Sequence, residues 1–355
     1  MTVIKKDGRK IPEFFKKLPL PTIIIGGFWV FILFFGAAEG LALSAMLSDT
    51  IRRFGMWGLF VLAMVPSIQS GTGPNFALPI GIVCGLVAMV FAIELGFTGV
   101  GWLVVSILLA IAIATVVGFA YGKLMNAVKG SEMTIATYTG FSATYLFCIM
   151  WLAFPFKSPM MGWMLGSGLR NTIELGQLGG AQIINNFLSF DIAGVSVPTG
   201  MILVVAACCA LVWLFFRTRT GAAISAAGMN PMFAKASGLN VDSGRIKANI
   251  LSNILAAVGI IIYSQSYGFA ALYDAPLMMA FQAVAAVLIG GATARRSKIV
   301  HVVIGTLIFQ GLLTNTPPVL SRAFPGTNLT EIMRMVVQNG IILYALTQVR
   351  GGEES

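Results

Sequence analysis

The chain has 355 residues, of which 57% are hydrophobic and only 10% charged, and its mean hydropathy is +0.88. A typical soluble domain carries roughly a quarter charged residues, so this composition excludes a soluble protein and describes a polytopic membrane protein. The formal net charge of +10 would suit nucleic acid, but the basic residues fall at the ends of apolar runs. They read as topology signals, and no nucleic-acid partner is expected.

The first 20 residues form a basic segment with Lys5, Lys6, Arg9, Lys10, Lys16 and Lys17. The apolar run that follows is long and lacks a small-residue cleavage site, so it is expected as a retained span. A span needs about 20 apolar residues. Runs that qualify, or nearly so, lie at about 21–38, 54–68, 76–95, 99–121, 134–154, 199–216, 247–265, 277–291, 299–314 and 332–348. An all-α membrane protein of about ten spans is expected, as one membrane domain over 1–355. The run at 54–68 is short and a candidate for a broken helix.

Lys123, Lys129, Arg217, Arg219, Lys235, Arg245, Lys247, Arg295, Arg296 and Lys298 all fall on one side if the span number is even. The positive-inside rule then places both termini in the cytoplasm. Arg52 and Arg53 depart from this pattern and are expected to be external or on a short interfacial helix.

Between Pro66 and Pro79 three prolines and two glycines interrupt an apolar stretch. Irregular backbone at membrane depth needs protein or a wet cavity around it. A broken helix near a translocation pathway is favoured over a plain tight turn. Residues 155–198 hold many glycines among aromatic and aliphatic residues. By topology this segment is periplasmic, and its apolar character points to short helices lying on the membrane surface.

The loop at 217–246 is small, polar and basic between two apolar runs. Asn230 suits an N-cap, Pro231 the first helical position and Gly238 the C-terminal cap. A helix of about two turns is therefore expected at 230–238, more a docking element than a connector.

No catalytic constellation is visible. His301 stands alone at a span end, and the four cysteines, Cys84, Cys148, Cys208 and Cys209, have no metal-ligand spacing. No G-x-x-x-x-G-K-[ST] occurs, so no P-loop cradles ATP in this chain. Buried carboxylates would mark ion coupling, yet Glu39, Glu94, Glu132, Asp274 and Glu331 all fall near span ends. That disfavours an ion-coupled secondary transporter and an ionic solute held mid-membrane. An integral-membrane enzyme would need a His, Asp or Glu cluster at one interface. A neutral polyol instead needs amides and hydroxyls, and Gln69, Asn75, Thr137, Tyr138, Tyr263, Gln265, Gln282, Asn315 and Gln338 are candidates to line its path. The alternative for each is helix packing, since Ser, Thr and Gly glue membrane helices together. Thr137, Gly140 and Thr144 share one face and read as packing. Glu331 and Arg334, three apart, could pair at the outer end of the last span or meet a binding protein.

Several motifs, in order, resemble those of permease subunits of ribose-type bacterial ABC importers. Thr218 to Gly221, Ala226 to Asn230 and Ala234 to Val241 match the family's T-x-x-G, A-x-G-x-N and A-x-x-x-G-(I/L)-N-V. Ala283 to Gly291 matches A-I-A-A-V-x-x-G-G, and Ile304 to Ile308 contains the G-T-L-I of the family's I-x-G-T-L-I. The resemblance implies the family's fold and an ATP-driven importer of a sugar, or of a nucleoside or sugar-like signal. The loop helix would then couple to the ATPase through Asn230, Pro231, Met232, Phe233, Ala234, Lys235 and Gly238. Met232, Phe233 and Ala234 would enter the ATPase groove. ATP and Mg would bind the partner ATPase, and this chain would hold no cofactor and no metal. A solute-binding protein, a second permease and the lipid bilayer of the bacterial cytoplasmic (inner) membrane complete the expected partners. Three departures stand out: Ser70 to Ala77 lacks the family's Asp, Ala280-Phe281-Gln282 replaces an acidic pair, and Ala292 to Ser297 replaces a glycine-rich loop. A heterodimer with a more typical permease accommodates them better than a homodimer.

Overall fold

Each of the ten apolar runs forms one helix in this computed structural model, which describes residues 19–156, 158–162, 168–192, 194–323 and 329–351. The first five are α1 (Leu20–Ala38), α2 (Leu43–Gln69), α3 (Leu78–Glu94), α4 (Gly99–Ala127) and α5 (Glu132–Ala153). Next come β1 (Thr172–Glu174), α6 (Ile183–Asn186), β2 (Phe190–Ile192) and β3 (Val195–Val197). The second half holds α7 (Thr199–Arg217), α8 (Arg219–Met229), α9 (Pro231–Ala236), α10 (Val241–Tyr267), β4 (Phe269–Ala271), α11 (Ala275–Ile289), α12 (Ile299–Ala323) and α13 (Leu329–Gly351). Among the described residues, α1, α2, α4, α5, α7, α10 and α12 are long and apolar enough to cross a membrane, while α3 and α11 are apolar but shorter.

Hydropathy sorts the helices into inner and outer sets. The most apolar window of α4 has mean hydropathy 2.8 and is only 28% buried; that of α2 has 1.3 and is 78% buried. A helix facing lipid must be apolar on its outside, whereas one enclosed by protein can carry polar groups that its neighbours satisfy. Accordingly α2, α3, α10 and α11 form the centre, and Phe34, Leu108, Val116 and Leu211 on the outer helices project outward. The inner helices cross very closely at small residues. A Cβ on Gly305 would stand 1.9 Å from the Ala286 carbonyl oxygen, and one on Gly290 equally close to that of His301. This explains why the sequence places Gly-Gly after α11 and glycine early in α12.

Three expectations need correction here. α2 is not broken: it runs 27 residues through Pro66, and it begins well before residue 54. Arg52 and Arg53 lie inside it, not on an interfacial helix. A window search misses this start because Asp49, Arg52 and Arg53 dilute the apolar signal. Second, the chain breaks only after the helix, at residues 70–77. This turn is enclosed by protein and hydrogen-bonded within itself. Ser67 Oγ donates to the Gly73 carbonyl (2.9 Å), and Thr72 Oγ1 to that of Ser67 (2.9 Å). Third, the segment at 155–198 is not a set of surface helices. Among its described residues are only the four-residue α6 and three short strands. β2 and β3 form a hairpin, and β1 pairs antiparallel with β4, with Ile173 opposite Ala270. Its alternation of exposed and buried residues in Thr172-Ile173-Glu174 has the period of a strand.

The contacts divide the connections between two ends of the bundle. At one end Gly99 N–H donates to Leu178 O (2.8 Å), Leu175 N–H to Gly268 O (2.9 Å), and Ser48 bonds Ser196. At the other end lie the 70–77 turn, the α4–α5 turn and the loop carrying α8 and α9. There Lys129 pairs with Asp242, and Arg245 with Glu132, each at 2.5 Å.

Candidate functional site: a loop helix and a polar cavity

The loop helix is built as its sequence dictates. Asn230 Oδ1 accepts the Phe233 N–H at 3.0 Å, Pro231 occupies the first position, and Gly238 adopts φ +77° after the last turn. Leu239 N–H reaches back to the Ala234 carbonyl (3.0 Å), closing the end. Upstream, Thr218 Oγ1 caps α8 through the Gly221 N–H (3.2 Å). Met232 is 84% and Phe233 67% exposed, and Lys235 is also exposed. Ala234 is different: it is fully buried and packs with Ala227, Val241 and Leu239. It seats α9 on its neighbours and does not project with Met232 and Phe233. α8 is in turn locked to the 70–77 turn. A Cβ at Gly228 would stand 2.1 Å from the Gln69 carbonyl oxygen, so only glycine permits this approach.

The second feature is a polar cavity of 420 Å³ on the inner faces of five helices. α2 contributes Arg53 and Trp57, and α10 contributes Tyr263 and Tyr267, each pair one turn apart. Gln282 comes from α11, and Gln310, Leu313, Thr314 and Pro317 from α12. Arg334 and Gln338 come from α13, with Arg334 donating to Gln338 Oε1 (3.4 Å). Tyr263 and Tyr267 have near-parallel rings with centres 5.5 Å apart, and the Arg53 guanidinium lies 5.3 Å from the Tyr267 ring centre. Pro317 and Pro318 inside α12 donate no N–H, which frees the helical partners at the Leu313 and Thr314 carbonyls.

Of the nine residues proposed to line a path, three meet in this cavity: Tyr263, Gln282 and Gln338. The others are held elsewhere. Asn75 is buried, with Nδ2 donating to Ser252 Oγ (2.8 Å) and Oδ1 accepting from Ala77 N–H (3.0 Å). Gln265 is buried against Asn185 (3.2 Å) and the Ile184 N–H (3.2 Å). Asn315 donates to Thr50 Oγ1 (2.9 Å). Gln69 links Ser225 (2.9 Å) to the Ser297 carbonyl (2.8 Å) at the end bearing the loop helix. Thr137 bonds its own helix at Met133 O (2.9 Å), and Tyr138 points outward, 66% exposed. Thr144 is buried and bonds Gly140 O, in line with packing. The Glu331 side chain lies outside the described residues, so its pairing with Arg334 is not described.

The sequence did not point to Arg53, Trp57, Gln310, Thr314 or Arg334 as lining residues. The available signal was a charge followed by an aromatic four residues on, in Arg53–Trp57. Arg53 also sets a charge facing the cavity from the central helix, which the survey of carboxylates at span ends did not cover.

A bundle with a polar cavity and a capped helix offered on a loop defines a class: an ABC transporter permease subunit, a transport component with no catalytic site of its own. The chain belongs to the family of the branched-chain amino acid transport system permease component, whose pattern matches residues 46–346. It is 28% identical over 316 residues to the galactofuranose transporter permease protein YtfT of Escherichia coli, covering 81% of this chain and 89% of that one. It is 22% identical over 245 residues to the nucleoside ABC transporter permease protein NupB of Lactococcus lactis subsp. cremoris, covering 67% and 64%. Among solved structures it is similar, at 14% identity and TM-score 0.45, to a transporter described as of metal-chelate ABC type in an inward-facing conformation. That match covers 94% of this chain and 99% of the other.

Proposed function

We propose that this chain is the membrane-spanning half of an ATP-driven importer and forms the path for a sugar-class solute handed over by a binding protein. The observation that carries the reading is α9. It is a short helix capped at both ends, and it offers Met232 and Phe233 to solvent while Ala234 anchors it. An aromatic and a flexible apolar side chain on a rigid base make a docking knob. Its partner is an ATPase subunit that binds ATP and Mg, with Lys235 beside an acidic rim. The basic residues around it support a cytoplasmic position for this end and for both termini, in a bacterial inner-membrane protein.

The polar cavity, containing Tyr263, Gln282 and Gln338, is the solute path under this reading. Aromatic rings and amides suit a sugar, and the likeness to the galactofuranose permease agrees. A nucleoside is the second solute class, favoured by the likeness to the nucleoside permease. Among the described lining residues none is a carboxylate, which argues against proton or sodium coupling. A second permease completes the path, and a heterodimer accommodates the three motif departures. The test is uptake into proteoliposomes holding the transporter isolated through this chain. Uptake should require ATP and binding protein, and should persist when ionophores collapse proton and sodium gradients. Uptake that follows an ion gradient without ATP would refute the reading.

A further inference from the structure

The cavity is unevenly furnished. Its volume of 420 Å³ falls within the roughly 300–1,000 Å³ typical of small-molecule sites. Its lining offers hydrogen-bond donors in excess. Trp57 Nε1 and Gln310 Nε2 are buried donors with no partner, on side chains only 5% and 3% exposed. Buried donors are rarely left unmet, because their desolvation is uncompensated. Both residues line the cavity, but the nitrogens themselves are shielded from it, so they mark a wall short of acceptors and are not contacts for a guest. Arg53 adds a full positive charge on the same wall as Trp57, one turn away. Its guanidinium lies over Tyr267, and among the described residues it has no acidic partner. The guanidinium also hydrogen-bonds the Tyr263 side chain; its remaining edge donors match the oxygens of a carboxylate or phosphate. Gln282 and Gln338, which can both donate and accept, suit hydroxyl groups.

We propose that the solute is a polyhydroxylated compound bearing one carboxylate or phosphate, and that Arg53 is the residue that selects its charge. This rests on the reading of the cavity as the solute path. It departs from a neutral sugar, the solute expected from the sequence, because that expectation rested on the carboxylates and left Arg53 out.

The experiment uses the transporter isolated through a tag on this chain, placed in lipid nanodiscs and freed of binding protein. Saturation-transfer NMR then compares galactose, galacturonate and galactose 1-phosphate as probes. At least one acidic probe should bind about tenfold or more tightly than galactose. The better of the two identifies the acidic group. Arg53→Gln should bring the ratio of acidic to neutral binding to about one, and Arg53→Lys should keep part of the preference. A role for Arg53 in packing alone would not move the ratio of acidic to neutral binding. Should Arg53→Gln not assemble, Arg53→Lys, which keeps the charge but not the planar fork, should by itself lower the preference several-fold. Equal binding of all three probes, no binding of the acids, or a preference that survives these substitutions overturns the proposal. ATP-driven uptake of a neutral sugar alone would sink this inference and spare the importer reading. Absence of ATP-driven uptake for any solute would sink the importer reading itself.

Discussion

Replacing Phe233 by Asp separates docking from folding. Phe233 is 67% exposed in the free chain, and surface changes of this kind usually stay within about 0.5 kcal/mol. It is also the third residue of α9, where a carboxylate faces the positive end of the helix dipole and adds about 0.3–1 kcal/mol. The isolated permease should therefore lose no stability. In a complex the balance reverses. Fully burying a Phe side chain is worth about 1.5–3 kcal/mol, and two-thirds exposure leaves about 1–2 kcal/mol of that to be gained on docking. Placing an unpaired carboxylate in an apolar groove costs several kcal/mol more. A loss of about 3 kcal/mol or more weakens ATPase association by at least about 100-fold. The assay is ATPase retention on immobilised permease, solute-stimulated ATP hydrolysis, and thermal unfolding of the permease alone. Ala234→Asp is the contrast: it buries a charge among Ala227, Val241 and Leu239, so it should destabilise the loop itself. Normal solute-stimulated ATP hydrolysis by Phe233→Asp would refute the reasoning.

Other outcomes are equally concrete. Gly305→Val must push α12 away from the Ala286 carbonyl and should cost about 1–3 kcal/mol or more, lowering the unfolding temperature. Gly340→Ala, with no neighbouring atom within 4 Å, should leave that temperature unchanged or raise it. In a background lacking the four native cysteines, an impermeant thiol reagent applied from outside should label Asn171→Cys and spare Lys235→Cys and Arg296→Cys; labelling at 235 would reverse the topology. Intact-complex mass measurement should find one copy of this chain with a different permease, and two copies without a second permease would end the heterodimer proposal.

The ten helices were legible because each needs an apolar run, and lipid contact writes that run plainly into α1, α4 and α7. The loop helix was legible for a different reason: Asn230, Pro231 and Gly238 each serve a local backbone need that does not depend on the rest of the fold. The cavity was mostly hidden. Arg53 looks like a span-end charge in sequence, and only the packing of α10 and α12 around α2 turns it inward. Asn75, Gln265 and Asn315 misled for the converse reason. A polar side chain in an apolar run signals a satisfied group, and its partners Ser252, Asn185 and Thr50 lie far away in sequence. The strands at 155–198 escaped because β1 finds its partner beyond α10, nearly a hundred residues on.

Helix α10 starts one residue after the Asn240 cap that follows the loop helix, and ends at the stacked pair Tyr263 and Tyr267. Its 27 residues span about 40 Å at 1.5 Å per residue. No proline or glycine kink divides it apart from Gly244 near its start and the close-packed Gly259. It is a rigid rod with one end beside the loop helix and the other in the cavity wall. A tilt of about 10° over that length displaces one tip by about 7 Å relative to the other, more than the width of a sugar ring. Under the proposed importer reading, a push received at the loop end would reach the cavity wall through one continuous piece of backbone, with no intervening joint to dissipate the stroke.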